Sequence, residues 1–207
     1  MPFELWISFF LASLALVSVP GPTVLLVISY ALGRGRATAW ATVPGVVLGD
    51  FTAMTISLLG AGAVLATSAT LFTALKIVGA AYLIWLGYNL WKDKGSMGEA
   101  AEVPPTQSYG SMFRNSWLVT ALNPKGIVFF VAFVPQFVDA SQPVLPQFAI
   151  LEATFLFLAG ANVLIWAMLA SGLRKQFKRP GALRTANRIG GGFLMGAGVL
   201  TAMVQRN

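Results

Sequence analysis

The sequence predicts an all-α integral membrane protein of six transmembrane helices, arranged as a 3+3 inverted repeat with helices 1 and 4 broken. Three observations lead there. Of the 207 residues, 57% are hydrophobic and only 10% are charged, whereas a soluble domain carries about 25% charged residues. The few charges are segregated, with none between Glu4 and Arg34 and none between Asp50 and Lys76. Each gap can hold a span of roughly 20 apolar residues. Finally, proline-containing polar motifs interrupt the apolar runs at related positions in the two halves.

Taken in order, the expected spans are 5–32, 39–66, 71–91, 115–138, 147–173 and 185–203. The stretch 3–19 has the look of a signal-peptide core. No Lys or Arg precedes it, however, no A-x-A site closes it, and the apolar run continues past Pro22 to Leu32. It is therefore read as the first span. A polar linker, 92–113, carries Lys92, Asp93, Lys94, Glu99, Glu102 and the pair Pro104–Pro105, a composition that suits a loop. The chain is thus expected to form a single membrane domain, with one repeat over 1–91, a linker over 92–113 and a second repeat over 114–207.

Basic residues fix the expected orientation. One set of loops and span ends holds Arg34, Arg36, Lys92, Lys94, Arg114, Arg174, Lys175, Lys178, Arg179, Arg184 and Arg188, and the opposite set holds only Lys76 and Arg206. By the positive-inside rule the linker is cytoplasmic and both termini lie outside. The net charge of +7 is thereby used for topology, and no nucleic-acid partner is expected.

The halves are related by short matches. Leu75-Lys76-Ile77-Val78-Gly79 opens the third span and Asn187-Arg188-Ile189-Gly190-Gly191 the sixth. The same offset sets Asp50 opposite Asn162, and Pro20-Gly21-Pro22 in the first span has a counterpart in Asn123-Pro124-Lys125 in the fourth. Because three spans is an odd number, the second copy enters the membrane from the other side. Many secondary transporters use this arrangement for alternating access.

Pro20 and Pro22 remove two backbone donors within an apolar run, and Gly21 adds freedom. The freed carbonyls must find partners in protein or cavity water, so the motif is either a substrate-facing break or a packing kink. Lys125 is costly at the bilayer centre. It either faces a cavity, near Asp50 or a substrate carboxylate, or snorkels to the interface. Asp50 is the acidic residue set deep in a span. Burial disfavours its charge and a neighbouring cation favours it, which suits proton coupling; the alternative is a carboxyl hydrogen-bonded at a helix break. Lys76 and Arg188 head equivalent helices, either as interfacial anchors or as site residues. Gly45/Gly49 and Gly192/Gly196 have the spacing that permits close helix packing, within the bundle or in a homodimer.

With no Cys and no His, thiol redox chemistry, disulfides and thiolate or imidazole metal sites are excluded. No cofactor or metal is expected. The side chain most used for acid–base catalysis is missing too, and no nucleophile–base pair stands near an interface, so an enzyme is not expected. Two other readings remain: a passive channel or packing subunit, and a membrane-embedded lipid-modifying enzyme.

Pro20-Gly21-Pro22, Gly45-x-x-x-Gly49-Asp50, Lys76-Ile77-Val78-Gly79-Ala80-Ala81-Tyr82-Leu83, Asn123-Pro124-Lys125 and Pro135-Gln136-Phe137 together resemble the lysine exporter family (LysE/RhtB). The likeness runs along essentially the whole chain. It implies a bacterial inner-membrane exporter of amino acids or close derivatives, driven by proton antiport, whose partners are the cargo, protons and the lipid bilayer. The site residues it and the polar motifs point to are Pro20, Gly21, Pro22, Asp50, Lys76, Asn123, Pro124, Lys125 and Asn162, with Asp50 carrying the proton. A single midplane carboxylate suits a neutral amino acid better than a basic one.

Overall fold

The structure, a computed structural model, describes residues 1–67, 69–92, 107–139, 141–172 and part of 188–199. The centre of the charged linker, the basic loop 174–184 and the end of the sixth expected span lie outside the described residues. Among those described, every regular element is helical.

The first expected span is two helices, α1 (Phe3–Ser18) and α2 (Pro22–Arg34), bent by 52° at the break between them. Pro20 cannot donate to a helix, whereas Pro22 takes the first position of α2, where no donor is needed. Gly35, at φ 83° in the left-handed region, ends α2, and its N–H returns to the Ala31 carbonyl at 2.9 Å, a common helix stop. After a short turn, α3 (Ala39–Thr67) and α4 (Ala69–Lys92) follow.

The fourth expected span is also broken. Helix α5 (Tyr109–Ala121) starts inside the stretch expected to be linker, because Ser108 caps it by accepting the Ser111 N–H at 3.2 Å. The linker is therefore shorter than 92–113. At Asn123 the chain bends by 41° into α6 (Pro124–Val128), which widens to a π turn over Phe129–Phe133 and tightens to a 3-10 turn over Val134–Phe137. A π turn leaves the backbone ladder out of step, and the Gln136 amide donates to the Ala132 carbonyl at 2.8 Å. Helix α7 (Val144–Gly172) closes the described bundle, and the described residues between 188 and 199 are helical.

Among the described residues, 36–60 and 144–170 are each long and apolar enough to cross a bilayer, and each bent pair also qualifies as one span. That gives up to four crossings. In α4, residues 77–89 form a shorter apolar helix.

Large apolar side chains also face outward, among them Ile56, Leu59, Val78, Phe157 and Ile165, each more than half exposed. Helices that are apolar all round suit lipid rather than water. Inside, two clusters divide the protein along its length. At one end Phe9, Phe129, Phe130, Phe133 and Phe155 pack with Met54 and Leu58. At the other, Val24, Val27 and Ile28 of α2 meet Val46 of α3 and Val163, Ala167 and Ala170 of α7. The second end carries Arg34, Arg36, Lys92 and Arg114 and is called the basic end below; the first is the aromatic end.

The Gly45/Gly49 pair is used within the chain. A Cβ at Gly49 would stand 2.6 Å from the Thr120 Cβ and 2.7 Å from the Trp117 carbonyl oxygen, and one at Gly45 would stand 2.5 Å from the Phe113 carbonyl oxygen. Helices α3 and α5 thus meet backbone against backbone, with the Thr120 side chain also against Gly49, the close approach that small residues allow in lipid. Gly49→Val is expected to cost about 3 kcal/mol through overpacking, seen as a lowered unfolding midpoint in detergent. A variant as stable as the parent contradicts this contact.

Candidate functional site

Both breaks fall at one depth, and a cavity of about 50 Å³ lies between them. At roughly 10–15 Å³ for each water, it holds a few waters, so a larger solute enters only if the walls move apart. Its polar lining comes from Thr23, Asp50, Asn123, Lys125 and Asn162, and its apolar lining includes Val24, Val46, Phe155, Ala159 and Val163.

The break after α1 explains two of these residues. In an unbroken helix residue 20 would donate to the Leu16 carbonyl, residue 21 to that of Val17 and residue 23 to that of Val19. Pro20 has no N–H and the chain has turned away at Gly21, so the Leu16 oxygen keeps only the Val19 N–H at 3.3 Å and the Val17 and Val19 oxygens need other donors. Lys125 Nζ donates to the Leu16 oxygen at 3.2 Å and to the Val19 oxygen at 3.1 Å. Asn162 Nδ2 donates to the Val17 oxygen at 2.8 Å. A cation there also complements the negative end of the α1 dipole. The Lys125 stem passes over Gly21, where an added Cβ would lie 3.4 Å from Nζ; a larger side chain at that position would displace the ammonium.

The second break has its own cap. Asn123 Oδ1 accepts the Lys125 N–H at 3.1 Å, and Pro124 takes the first helical position. Asn123 Nδ2 reaches toward the Thr23 hydroxyl at 3.4 Å, and the Thr120 hydroxyl donates to Thr23 Oγ1 at 3.2 Å. The two breaks are thereby joined by side chains from both halves.

Asp50 is 9% exposed and lines the cavity without a hydrogen bond or ion pair to the described residues. Lys125 acts on it electrostatically. The expected alternative of Lys125 paired with Asp50 thus takes a looser form: the ammonium is bonded to α1 and faces the carboxylate as a charge. An ammonium has three donors, and two of them are used.

Of the residues singled out from sequence, Pro20, Gly21 and Pro22 form the first break and Asn123, Pro124 and Lys125 the second, while Asp50 and Asn162 reach the same cavity from α3 and α7. Lys76 lies within α4, and its side chain lies outside the described residues. Arg188 is exposed. Sequence reasoning missed Thr23 and Phe155. Thr23 follows Pro22 directly, at the start of the second half-helix. Phe155 stands seven residues before Asn162, two turns away on the same face of α7.

A polar cavity at the shared break of two interrupted helices, inside a bundle with an apolar outer surface, defines a multi-pass membrane protein of the translocator class. The chain belongs to the LysE type translocators, whose family model matches residues 14–205. Members of that family are transporters rather than enzymes. It is 32% identical to the homoserine/homoserine lactone efflux protein of Salmonella typhimurium, over 98% of both chains. An uncharacterized membrane protein of Vibrio cholerae is 31% identical over 98% of both chains. The leucine efflux protein of Salmonella choleraesuis is 31% identical over 66% of this chain and 64% of its own. No solved structure matches the chain significantly.

Proposed function

We propose that this protein exports a neutral amino acid or a close derivative across the bacterial inner membrane in exchange for protons. The observation that carries the reading is the convergence of Asp50, Lys125 and Asn162 on one cavity at the level of both helix breaks. An amino acid is a small zwitterion, and the cavity offers a matched pair of charges. Its ammonium meets the Asp50 carboxylate, which makes no hydrogen bond to the described residues. Its carboxylate meets the third Lys125 N–H and the first N–H groups of α2, at Thr23 and Val24, which no carbonyl of that helix can accept. Val46, Ala159, Val163 and Phe155 surround the side chain with apolar walls, which suits a neutral cargo. The relatives named for homoserine, homoserine lactone and leucine efflux support the same cargo class.

In this reading the chain crosses the membrane six times as an inverted 3+3 repeat in one membrane domain. The basic end and the linker are cytoplasmic, and both termini are outside. The repeats rock about the cavity, and Asp50 carries the proton on the return step. Proton and cargo cation exclude one another at a single carboxyl, which is the elementary requirement of antiport.

The cargo is tested by loading expressing cells with dipeptides and measuring which released amino acid leaves. A neutral amino acid is expected to leave faster than from cells without the protein. If none leaves faster, the cargo assignment fails. Counterflow in proteoliposomes then separates a carrier from a passive channel, because an open pore cannot accumulate labelled solute against an unlabelled gradient.

A further inference from the structure

We propose that the junction of α2, α3 and α5 is the route by which cargo reaches the cavity from the basic end, with Tyr30 as its gate. The other closures around the cavity carry larger apolar surfaces, although Ser13 of α1 is also buried without a partner among the described residues and the Thr55 hydroxyl donates to Glu152 between α3 and α7. The aromatic end is sealed by the rings of Phe9, Phe129, Phe130 and Phe155. Toward the basic end, the face of α2 bearing Val24, Val27 and Ile28 is packed on Val163 and Ala167 of α7. The α2–α5 contact differs. At cavity depth it holds the Thr23, Thr120 and Asn123 chain of hydrogen bonds. One turn further along α5, where that helix also meets Gly45 of α3, Ser116 is fully buried and its hydroxyl has no partner among the described residues. Beyond it the Tyr30 ring, 2% exposed, packs with Ala41 and Met112. The Tyr30 hydroxyl accepts from Gln107 Nε2 at 3.0 Å and from Asn115 Nδ2 at 3.1 Å.

Parting an apolar contact exposes surface at about 25 cal/mol for each Å². Parting a polar one exchanges protein hydrogen bonds for water at small net cost. The α2–α5 contact, which carries both the hydrogen-bond chain beside the cavity and the two bonds to the Tyr30 hydroxyl, is therefore the one assigned to open to water, and a buried hydroxyl without a partner gains one when it opens. The backbone permits the motion. Helix α2 runs between the Gly21 break and Gly35, whose positive φ and open surroundings make a second joint. Helix α5 is keyed into α3 at Gly45 and Gly49, so α2 is the part that moves.

The inference rests on the transport reading, but its test reads water access and needs no cargo. The chain has no cysteine, so one introduced thiol is a unique label. In vesicles of the full-length protein, Ser116→Cys is treated with a charged, membrane-impermeant thiosulfonate, with Val27→Cys as the buried apolar control. Phe3→Cys and Arg36→Cys, both at exposed positions, report which face the reagent reaches. Ser116→Cys is expected to react from the Arg36 face about tenfold faster than Val27→Cys, as local opening controls labelling. Adding Tyr30→Phe, which keeps the ring and removes the hydroxyl that both amides bond, is expected to raise that rate further. If Ser116→Cys is misfolded, Thr23→Cys at the cavity end of the route takes its place with the same expectation. Labelling no faster than at Val27, or only from the Phe3 face, overturns the proposal. A protein that exports no amino acid yet labels as expected keeps this route and loses only the cargo assignment.

Discussion

Lys125→Met is expected to abolish transport and to destabilise the fold together. The thioether matches the lysine stem in length and packing but offers no donor. The Leu16 and Val19 carbonyls, both served by Nζ, are then left without that partner at a helix break. The Leu16 carbonyl keeps the Val19 N–H at 3.3 Å, so the Val19 carbonyl is the one left unmet, at a cost of about 1–3 kcal/mol. Asp50 also loses the cation that faces it across the cavity. Unfolding in detergent, followed with a thermal probe, measures the first effect, and uptake into vesicles measures the second. The double variant Lys125→Met with Asp50→Asn is expected to be more stable than Lys125→Met alone, because the buried carboxylate that lost its counter-charge has been removed. A coupling of about 0.5–3 kcal/mol is typical for residues in contact or one network. Lys125→Arg keeps charge and donors but brings a wider head against Gly21, so partial rescue is expected. Lys125→Met with the parent's stability and uptake would falsify this role.

How much of this was legible beforehand follows from what each residue type reveals alone. A proline announces its break wherever it stands, so Pro20-Gly21-Pro22 and Asn123-Pro124 located both interruptions without any structure. Glycine spacing revealed a close-packing face on α3, but not that α5 lies against it, since spacing defines a face and never its partner. The roles of Lys125 and Asn162 were hidden for the same reason. Polar groups in an apolar run mark a cavity, yet which carbonyls they serve depends on where α1 crosses α6 and α7. The π turn over Phe129–Phe133 left no trace, because a segment apolar on every side has no periodicity to disturb. The start of α5 at Tyr109 was misplaced because its cap, Ser108, sits among polar residues that read as loop. Nothing in the sequence singles out Tyr30 within its apolar span, although a buried tyrosine hydroxyl requires a partner.

Asp50 carries the central claim. It lines the cavity together with Lys125 and makes no hydrogen bond to the described residues, and in the proposed mechanism its protonation responds to cargo. Asparagine has the same shape and keeps one acceptor oxygen, but it can neither carry a proton nor hold a charge. Lys125 keeps its bonds to α1 in that variant, and the protein is expected to fold. The most direct measurement compares Asp50→Asn with the parent in proteoliposomes, following labelled neutral amino acid under two conditions. Uptake driven by a pH gradient is predicted to fall to the level of protein-free vesicles. Exchange of labelled for unlabelled amino acid, which needs no proton, is predicted to continue at a reduced rate. Gradient-driven uptake by Asp50→Asn at the parent's rate contradicts the account.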